Sequence, residues 1–367
     1  RHEHPKNPRQ MSRRVLAELV APARAADLGR RGLREVRDLL VGSPDDADLA
    51  AELAAARESS RTAPVSALEI LDRRSLDAPD EIGAVITFCR RLDVALGGGA
   101  RRGKLLELVG PPGSGKTQCV LQLAVDATIP RAFRGCGGRA VLIDCDGSAS
   151  PTRLRSLATA MVDHVKRVAA KHPHDTAKRD AANSLSVDRT CANIDVIRAF
   201  DDLDLLAALE ALLDEKEDEP PLRLVAVDSV ATPFRWLPPD ADPDERPRLI
   251  ARVGRDLARL ADTRACAVVV ANQVTMTTTT TPADAGAAFE EVPALGLAWS
   301  HVADARVHLR GPDPSLTTAP SGRDGTWVAV VAKGAAAGAR PIEFCVDHRG
   351  LRDCSSTRSH SHNKGPP

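Results

Sequence analysis

Residues 110–117 read Gly-Pro-Pro-Gly-Ser-Gly-Lys-Thr, and this octet matches the pattern G-x-x-x-x-G-K-[ST] at every fixed position. The apolar residues 105–109 before it predict a buried strand, and residues 118–124 after it predict a helix. A strand, a glycine-rich loop and a helix in this order form the context in which the pattern binds phosphate. The alternative is a glycine-rich turn with an incidental Lys-Thr pair, and the context favours nucleotide binding over it.

Each residue type in this octet, called the phosphate loop below, has a predicted task. Glycines let the backbone curl until its N–H groups point at phosphate oxygens, and the following helix adds favourable partial charge at its N-terminus. The Lys116 ammonium is expected to reach the β- and γ-phosphates, and the Thr117 hydroxyl to hold Mg²⁺. The predicted cofactors are ATP and Mg²⁺, and the predicted nucleotide-binding residues are Gly110, Pro111, Pro112, Gly113, Ser114, Gly115, Lys116 and Thr117.

Acidic side chains follow two other apolar runs. Residues 222–228 end in Asp228, which is predicted to hold Mg²⁺ together with the phosphate loop. Residues 139–147 end in Asp144 and Asp146, one of which would orient or deprotonate an attacking water. A solvated strand end explains this second pair equally well from composition alone.

An amide side chain follows a further apolar run. Gln273 comes directly after residues 267–272 and is predicted to sense the γ-phosphate. Contacts with that phosphate would order the polar segment that follows, and hydrolysis would release it.

Composition limits the class of protein. The 367 residues are 43% hydrophobic, which suffices for a large core, and no run of eighteen apolar residues predicts a membrane span. Fifty basic and fifty acidic residues balance, so any DNA contact must come from local patches. Tyrosine is absent, which removes much of the stacking platform of typical single-strand binders. The eight cysteines contain no C-x-x-C pair, and reduced thiols are favoured over disulfides or a zinc site.

Alternating strand and helix patterns predict an α/β fold with a mostly parallel sheet. Predicted strands cover 105–109, 140–144, 193–198, 222–228 and 266–271, and strands near 302–310, 326–332 and 341–347 suggest an antiparallel C-terminal extension. Two polar segments, 171–189 and 277–290, predict mobile loops. The expected organisation is a leader or disordered segment at 1–10, a small helical N-terminal domain at 11–58, a linker at 59–83, an ATPase core at 84–353 and a disordered tail at 354–367.

Several strings in this order resemble the eukaryotic branch of the RecA-type DNA recombinases, and within it the C-type paralogue of the strand-exchange recombinase is most similar. They are Ile86-Thr87-Phe88, residues 92–99, Gly115-Lys116-Thr117-Gln118, residues 122–130, Pro233-Phe234-Arg235, residues 292–296 and Trp299-Ser300-His301. The resemblance implies a RecA-type nucleotide-binding core with ATP and Mg²⁺.

The resemblance also implies a role. It indicates homologous recombination and double-strand break repair, including meiotic recombination and crossover resolution, in the nucleus with some cytoplasmic protein. The implied partners are single-stranded and branched DNA, sister paralogues in hetero-oligomers and the main strand-exchange recombinase, with no membrane. It places one DNA-facing loop at 232–247, with Arg235 and either Arg246 or Arg248 as phosphate contacts, and a second at 274–297.

One position departs from the family's pattern. Asp146 stands where the family usually has glutamate, and Asp146 and Gln273 are the expected catalytic residues. Because aspartate is one methylene shorter, ATP binding is expected to survive while hydrolysis is in doubt. Three interpretations stay open: a mediator with weak DNA-dependent ATPase activity, a nucleotide-clamped assembly scaffold with little hydrolysis, and a RecA-fold helicase or regulatory ATPase outside recombination.

Overall fold

The computed structural model describes residues 83–215, 220–235, 245–279, 288–312, 325–334 and 337–354. The predicted leader, the helical N-terminal domain and nearly all of the linker lie outside the described residues. The tail does too, from residue 355 onward. The sequence predictions for these segments stay predictions.

Thirteen strands are formed by the described residues. Their bounds are β1 Ala84–Val85, β2 Ala100–Arg101, β3 Leu105–Val109, β4 Arg139–Asp144, β5 Ile194–Arg198, β6 Leu222–Asp228, β7 Ala267–Asn272, β8 Val274–Thr279, β9 Ala288–Pro293, β10 Ala305–Arg310, β11 Thr326–Lys333, β12 Ile342–Asp347 and β13 Gly350–Asp353.

The α-helices of the described residues lie between these strands. Their bounds are α1 Arg90–Ala95, α2 Lys116–Asp126, α3 Pro151–Ala170, α4 Thr176–Ser184, α5 Val187–Ala192, α6 Asp202–Asp214, α7 Glu245–Thr263 and α8 Gly296–Ser300. None of the helices in the described part of the chain is long and apolar enough to cross a membrane.

Nine strands form one sheet in the order β13-β12-β11-β10-β3-β7-β6-β4-β5. The six strands from β10 to β5 run parallel to one another, and β11, β12 and β13 continue the sheet with antiparallel pairs. The predicted α/β fold with a mostly parallel sheet is therefore confirmed. One detail was wrong: the strand near 302–310 is β10, which runs parallel to β3 and is antiparallel only to β11.

Strands β3, β4, β6 and β7 are buried along their whole length. Because successive side chains of a strand point to opposite faces, both faces of this central part of the sheet are covered. In β4, Ala140 and Leu142 join the core under helices α2 and α3, whereas Val141 and Ile143 join the core under α6 and α7. Strands covered on both sides in this way are typical of parallel sheets, and they explain why these runs read as almost continuously apolar.

Two predicted mobile loops contain regular structure. The polar segment 171–189 holds α4 and the start of α5, whose first turns are capped by the side chains of Asp175 and Ser186. Side-chain caps of this kind offset a weak apolar pattern. In the segment 277–290, residues 277–279 and 288–290 belong to an antiparallel pair, β8 with β9, and residues 280–287 lie outside the described part.

Candidate nucleotide site

The parallel arrangement brings the predicted site residues to one edge of the sheet. Val109 at the end of β3 pairs with Asn272 of β7, Ala271 pairs with Asp228 of β6, and Asp228 pairs with Asp144 of β4. The phosphate loop, Gln273, Asp228 and Asp146 therefore leave the sheet side by side. This edge, beyond the carboxyl ends of parallel strands, is where open α/β sheets bind ligands.

The phosphate loop connects β3 directly to α2, as its sequence predicts. Gly115 adopts a left-handed backbone with φ of 93°, which a side chain would strain. A Cβ on Gly110 would lie 2.3 Å from the carbonyl oxygen of Leu309, so this position also requires glycine. These glycines give the loop its curled path, and that path ends at the N-terminus of α2, where anions are favoured.

Lys116 folds back over the phosphate loop. Its Nζ donates to the carbonyl oxygens of Gly110 at 2.8 Å and Pro111 at 2.9 Å. Burial lowers the pKa of Lys116, and the nearby carboxylates of Asp228 and Asp146 act in the opposite direction. A desolvated ammonium whose hydrogen-bond partners are the neutral oxygens of Gly110, Pro111 and Ser114 is suited to binding an anion.

Asp228 is almost fully buried at the end of β6. It accepts hydrogen bonds from the hydroxyl of Thr117 and from Oγ of Ser148, the latter at 3.2 Å. Burial raises its pKa, helped by the negative charges of Asp146 and Asp144. A buried carboxylate beside a threonine hydroxyl, with two further carboxylates near it, fits a hydrated Mg²⁺ ion, which Thr117 and Asp228 would hold.

The structure distinguishes Asp144 from Asp146, which the sequence left as equal candidates for orienting a water. Asp144 is fully buried and accepts from the backbone N–H of Ser148 at 3.0 Å and of Ala149 at 3.1 Å, and it pairs with Arg198 at 2.6 Å. Its oxygens are occupied in holding the loop after β4. Asp146 is exposed at the site and accepts from the hydroxyl of Thr232. Of the pair, Asp146 is therefore the carboxylate placed to face a water.

Gln273 also has a partner at the site. Arg235 donates to its Oε1, and Arg235 is exposed at the end of a short 3-10 turn, Pro233–Arg235. Arg235 was predicted as a DNA phosphate contact, and here it meets the predicted γ-phosphate sensor. Arg246 and Arg248, the other predicted DNA contacts, lie exposed in the first turn of α7, so the predicted loop 232–247 ends as a helix.

Thr232 was missed by the sequence analysis. It lies three residues before Arg235, and the two side chains reach Asp146 and Gln273 respectively. The segment 229–235 follows Asp228 directly, and the peptide bond between Asp228 and Ser229 is cis. One short segment thus contacts every carboxylate or amide proposed for catalysis.

A buried network behind the site was missed as well. Glu107 in β3 is fully buried, and its Oε1 accepts from Asn272 Nδ2 at 2.7 Å and from Trp299 Nε1 at 2.9 Å, while its Oε2 accepts from Arg306 Nε at 2.6 Å. Asn272 Nδ2 also donates to the carbonyl of Ala294 at 2.9 Å. The available signal was a glutamate inside the apolar run 105–109, since a buried charge needs partners.

This network, called the Glu107 network below, fixes the base of the second predicted DNA-facing loop. The backbone N–H of Ala294 donates to the carbonyl of Gln273 at 2.8 Å, so both ends of the β8–β9 pair meet beside the site. Asn272 joins this base to Glu107, three residues before the phosphate loop. The predicted sensor and the predicted DNA loop are therefore parts of one connected structure.

The antiparallel extension covers the other side of the phosphate loop. The Trp327 indole N–H donates to the carbonyl of Gly113 at 3.4 Å, and its ring stacks on Phe344 at 6.4 Å between centroids. Arg153 of α3 donates to Gln118 of α2 at 2.8 Å and to two carbonyls of the β12–β13 turn. Lys333, in β11, donates to the carbonyl of Ser300 at 3.3 Å.

Comparisons with known proteins show which family the chain resembles. The family model described as Rad51 matches residues 79–314. The chain is 30% identical to the protein named DNA repair protein RAD51 homolog 3 of Cricetulus griseus, over 97% of this chain and 96% of that protein. It is 33% identical to the protein of the same name from Dictyostelium discoideum, over 67% of this chain and 61% of that protein.

Proposed function

The chain belongs to the Rad51 family, the eukaryotic RecA-type recombinases, and is similar to its C-type paralogue, and from this premise we propose that it is an ATP-dependent, DNA-binding mediator of homologous recombination. The observation that carries the proposal is the single edge at which the phosphate loop, Asp228, Asp146 and Gln273 come together. Its cellular role is repair of double-strand breaks, including meiotic recombination and crossover resolution, in the nucleus with some cytoplasmic protein.

The side chains divide the work at that edge. Lys116 and the loop N–H groups bind phosphate oxygens, and Thr117 with Asp228 holds Mg²⁺. The ion supplies neutralising charge on the phosphates. Asp146 orients a water, with Thr232 controlling the direction of its carboxylate. Gln273 responds to the terminal phosphate by leaving Arg235, which frees that guanidinium for a DNA phosphate.

The end of the sheet formed by β5, away from the antiparallel extension, supports assembly with other subunits. Within the described part of the chain β5 is an edge strand, and Val196 is 43% exposed there, while Phe200 and Leu203 just after it are 58% and 70% exposed. Edge strands with exposed apolar side chains pair with segments of other chains. We propose that sister paralogues and the main strand-exchange recombinase bind through surfaces of this kind and form short hetero-oligomers.

A second candidate is a nucleotide-clamped scaffold that hydrolyses ATP rarely. It is favoured by Asp146, which is one methylene shorter than the family's usual glutamate and accepts a hydrogen bond from Thr232. A carboxylate misplaced by about 1 Å costs about a hundredfold in rate. Single-turnover ATP hydrolysis, with and without single-stranded DNA, separates the two: the mediator is stimulated by DNA, and the scaffold is not.

Electron microscopy and light scattering of the purified chain with ATP and single-stranded DNA test the mediator proposal itself. We expect a monomer or a short assembly that binds a sister paralogue more tightly with ATP. Long regular homofilaments would contradict the proposal and identify a principal strand-exchange recombinase. Processive unwinding by the chain alone would indicate a helicase instead.

A further inference from the structure

Two cysteines meet at the β12–β13 hairpin, one on β12 and one directly after β13. The Sγ atoms of Cys345 and Cys354 lie 2.7 Å apart, and both side chains are half-buried. Cys345 is in β12, where its partner across the ladder is Arg352, two residues before Cys354. The contact between the two sulfur atoms places both thiols on the same side of the hairpin.

Five of the other six cysteines of the chain are more deeply buried than this pair. Cys89, Cys119, Cys136, Cys145 and Cys266 are buried. Burial raises the pKa of Cys119 and, to about 12, that of Cys145, so these thiols resist forming the reactive thiolate. Cys191 on α5 is half-buried like the pair and serves as a matched comparison.

The residue next to Cys354 connects the cysteine pair to helix α1. Asp353, directly before Cys354, accepts from the backbone N–H groups of Arg90 at 2.9 Å and Arg91 at 3.1 Å, and from the Cys89 thiol. These N–H groups belong to the first turn of α1, which has no side-chain cap from Cys89, its own N-cap residue. Asp353 therefore caps α1 from a strand more than 260 positions away.

We propose that Cys345 and Cys354 form a reversible disulfide, with a hydroperoxide as oxidant, and that the bond fixes Asp353 on the first turn of α1. One thiolate attacks the peroxide oxygen, the O–O bond breaks, and a sulfenic acid forms as hydroxide leaves. The second thiol attacks that sulfur, the S–S bond forms, the S–O bond breaks and water leaves. The two thiols supply the two electrons that reduce the peroxide.

The disulfide acts on the end of the sheet by limiting its fraying. Strand β13 is the last strand at this edge, and its outer side lacks a partner strand among the described residues. Edge strands and chain ends open most readily, and each opening exposes the amides that Asp353 caps. A bond from Cys354 to β12 suppresses these openings and keeps Asp353 in place.

The test uses the full chain treated with hydrogen peroxide in small excess, blocked with N-ethylmaleimide, digested and examined by mass spectrometry. We expect a cross-linked peptide joining Cys345 to Cys354, formed before Cys191 is oxidised and reversed by dithiothreitol. Hydrogen exchange at the Arg90 and Arg91 amides should slow by about fivefold or more in the oxidised chain. Cys191→Ser should keep both effects, and Cys354→Ser should abolish both.

Two results would overturn the proposal. Oxidation of Cys191 without a Cys345–Cys354 cross-link, or cross-links only between chains, would show that the two thiols do not form the bond. A cross-link that leaves exchange at Arg90 and Arg91 unchanged would show that it does not act on the α1 cap.

Discussion

Replacing Glu107 with glutamine tests whether the Glu107 network behind the nucleotide site stabilises the fold. The Arg306 side chain is 14% exposed and the Glu107 side chain is fully buried, so Glu107→Gln leaves a largely buried guanidinium without its counter-charge. Breaking a buried pair from one side costs about 3–5 kcal/mol. The partial exposure of Arg306 places the expected loss near the lower end, at about 3 kcal/mol.

The measurement is urea unfolding followed by tryptophan fluorescence. With a slope of about 3 kcal/mol per molar urea, a loss of about 3 kcal/mol lowers the unfolding midpoint by about 1 M. The matched control is Glu210→Gln, which removes the same charge from the exposed pair between Glu210 and Arg252. Exposed pairs contribute about 0–1 kcal/mol, so its midpoint should fall by less than about 0.3 M.

A double variant separates the orphaned charge from the lost hydrogen bonds. Glu107→Leu combined with Arg306→Met removes both charges and should recover part of the loss, because no buried ion is left unpaired. Trp299 would still lose its acceptor, so recovery should be incomplete. Equal midpoints for Glu107→Gln and Glu210→Gln would refute the reasoning.

Four further predictions concern nucleotide, water, pH and DNA. Lys116→Ala should weaken ATP binding about 10- to 100-fold, because charged hydrogen bonds to phosphate are lost; unchanged affinity by calorimetry would contradict the role of the phosphate loop. Asp146→Glu should raise single-turnover hydrolysis at similar ATP affinity, whereas a lower rate would place the water elsewhere. Burial raises the pKa of Asp93 to about 6, so the folded state binds more protons than the unfolded state between about pH 4 and pH 6, and stability falls as pH rises through this range. Asp93→Asn should flatten that slope in thermal melts, and an unchanged slope would assign it to another group. DNA affinity should fall steeply with salt, with little sequence preference, because it depends on contacts such as Arg235; salt-insensitive binding in a titration series would point to stacking.

The sequence predicted the parallel sheet and brought the candidate site residues to one edge of it, because both predictions depend on local patterns. Apolar runs that end in Asp228 or Gln273 indicate strands buried on both faces, and the phosphate loop identifies the edge without any knowledge of tertiary contacts. The order of strands and the position of β10 depend on packing between distant segments, which a local pattern does not encode.

The missed parts of the site are contacts over long sequence separations. Thr232 and Asp146 are 86 residues apart, and Trp299 lies 192 residues from Glu107. Helices α4 and α5 were missed for a different reason: their apolar faces are short, and the caps at Asp175 and Ser186 supply a signal that the periodic pattern does not contain.

Helix α2 has a consequence for how the protein can respond to a nucleotide. Nine of its eleven residues are buried, from Lys116 through Cys119–Asp126, against sheet, α3 and β13. Close-packed interiors shift between discrete arrangements and do not deform smoothly, so we expect this helix to stay in place when a nucleotide binds. A structural response to a bound nucleotide would then fall to the short segment 229–235, in which Thr232 contacts Asp146 and Arg235 contacts Gln273. A shift of this segment that changes one of these contacts would therefore also change the other.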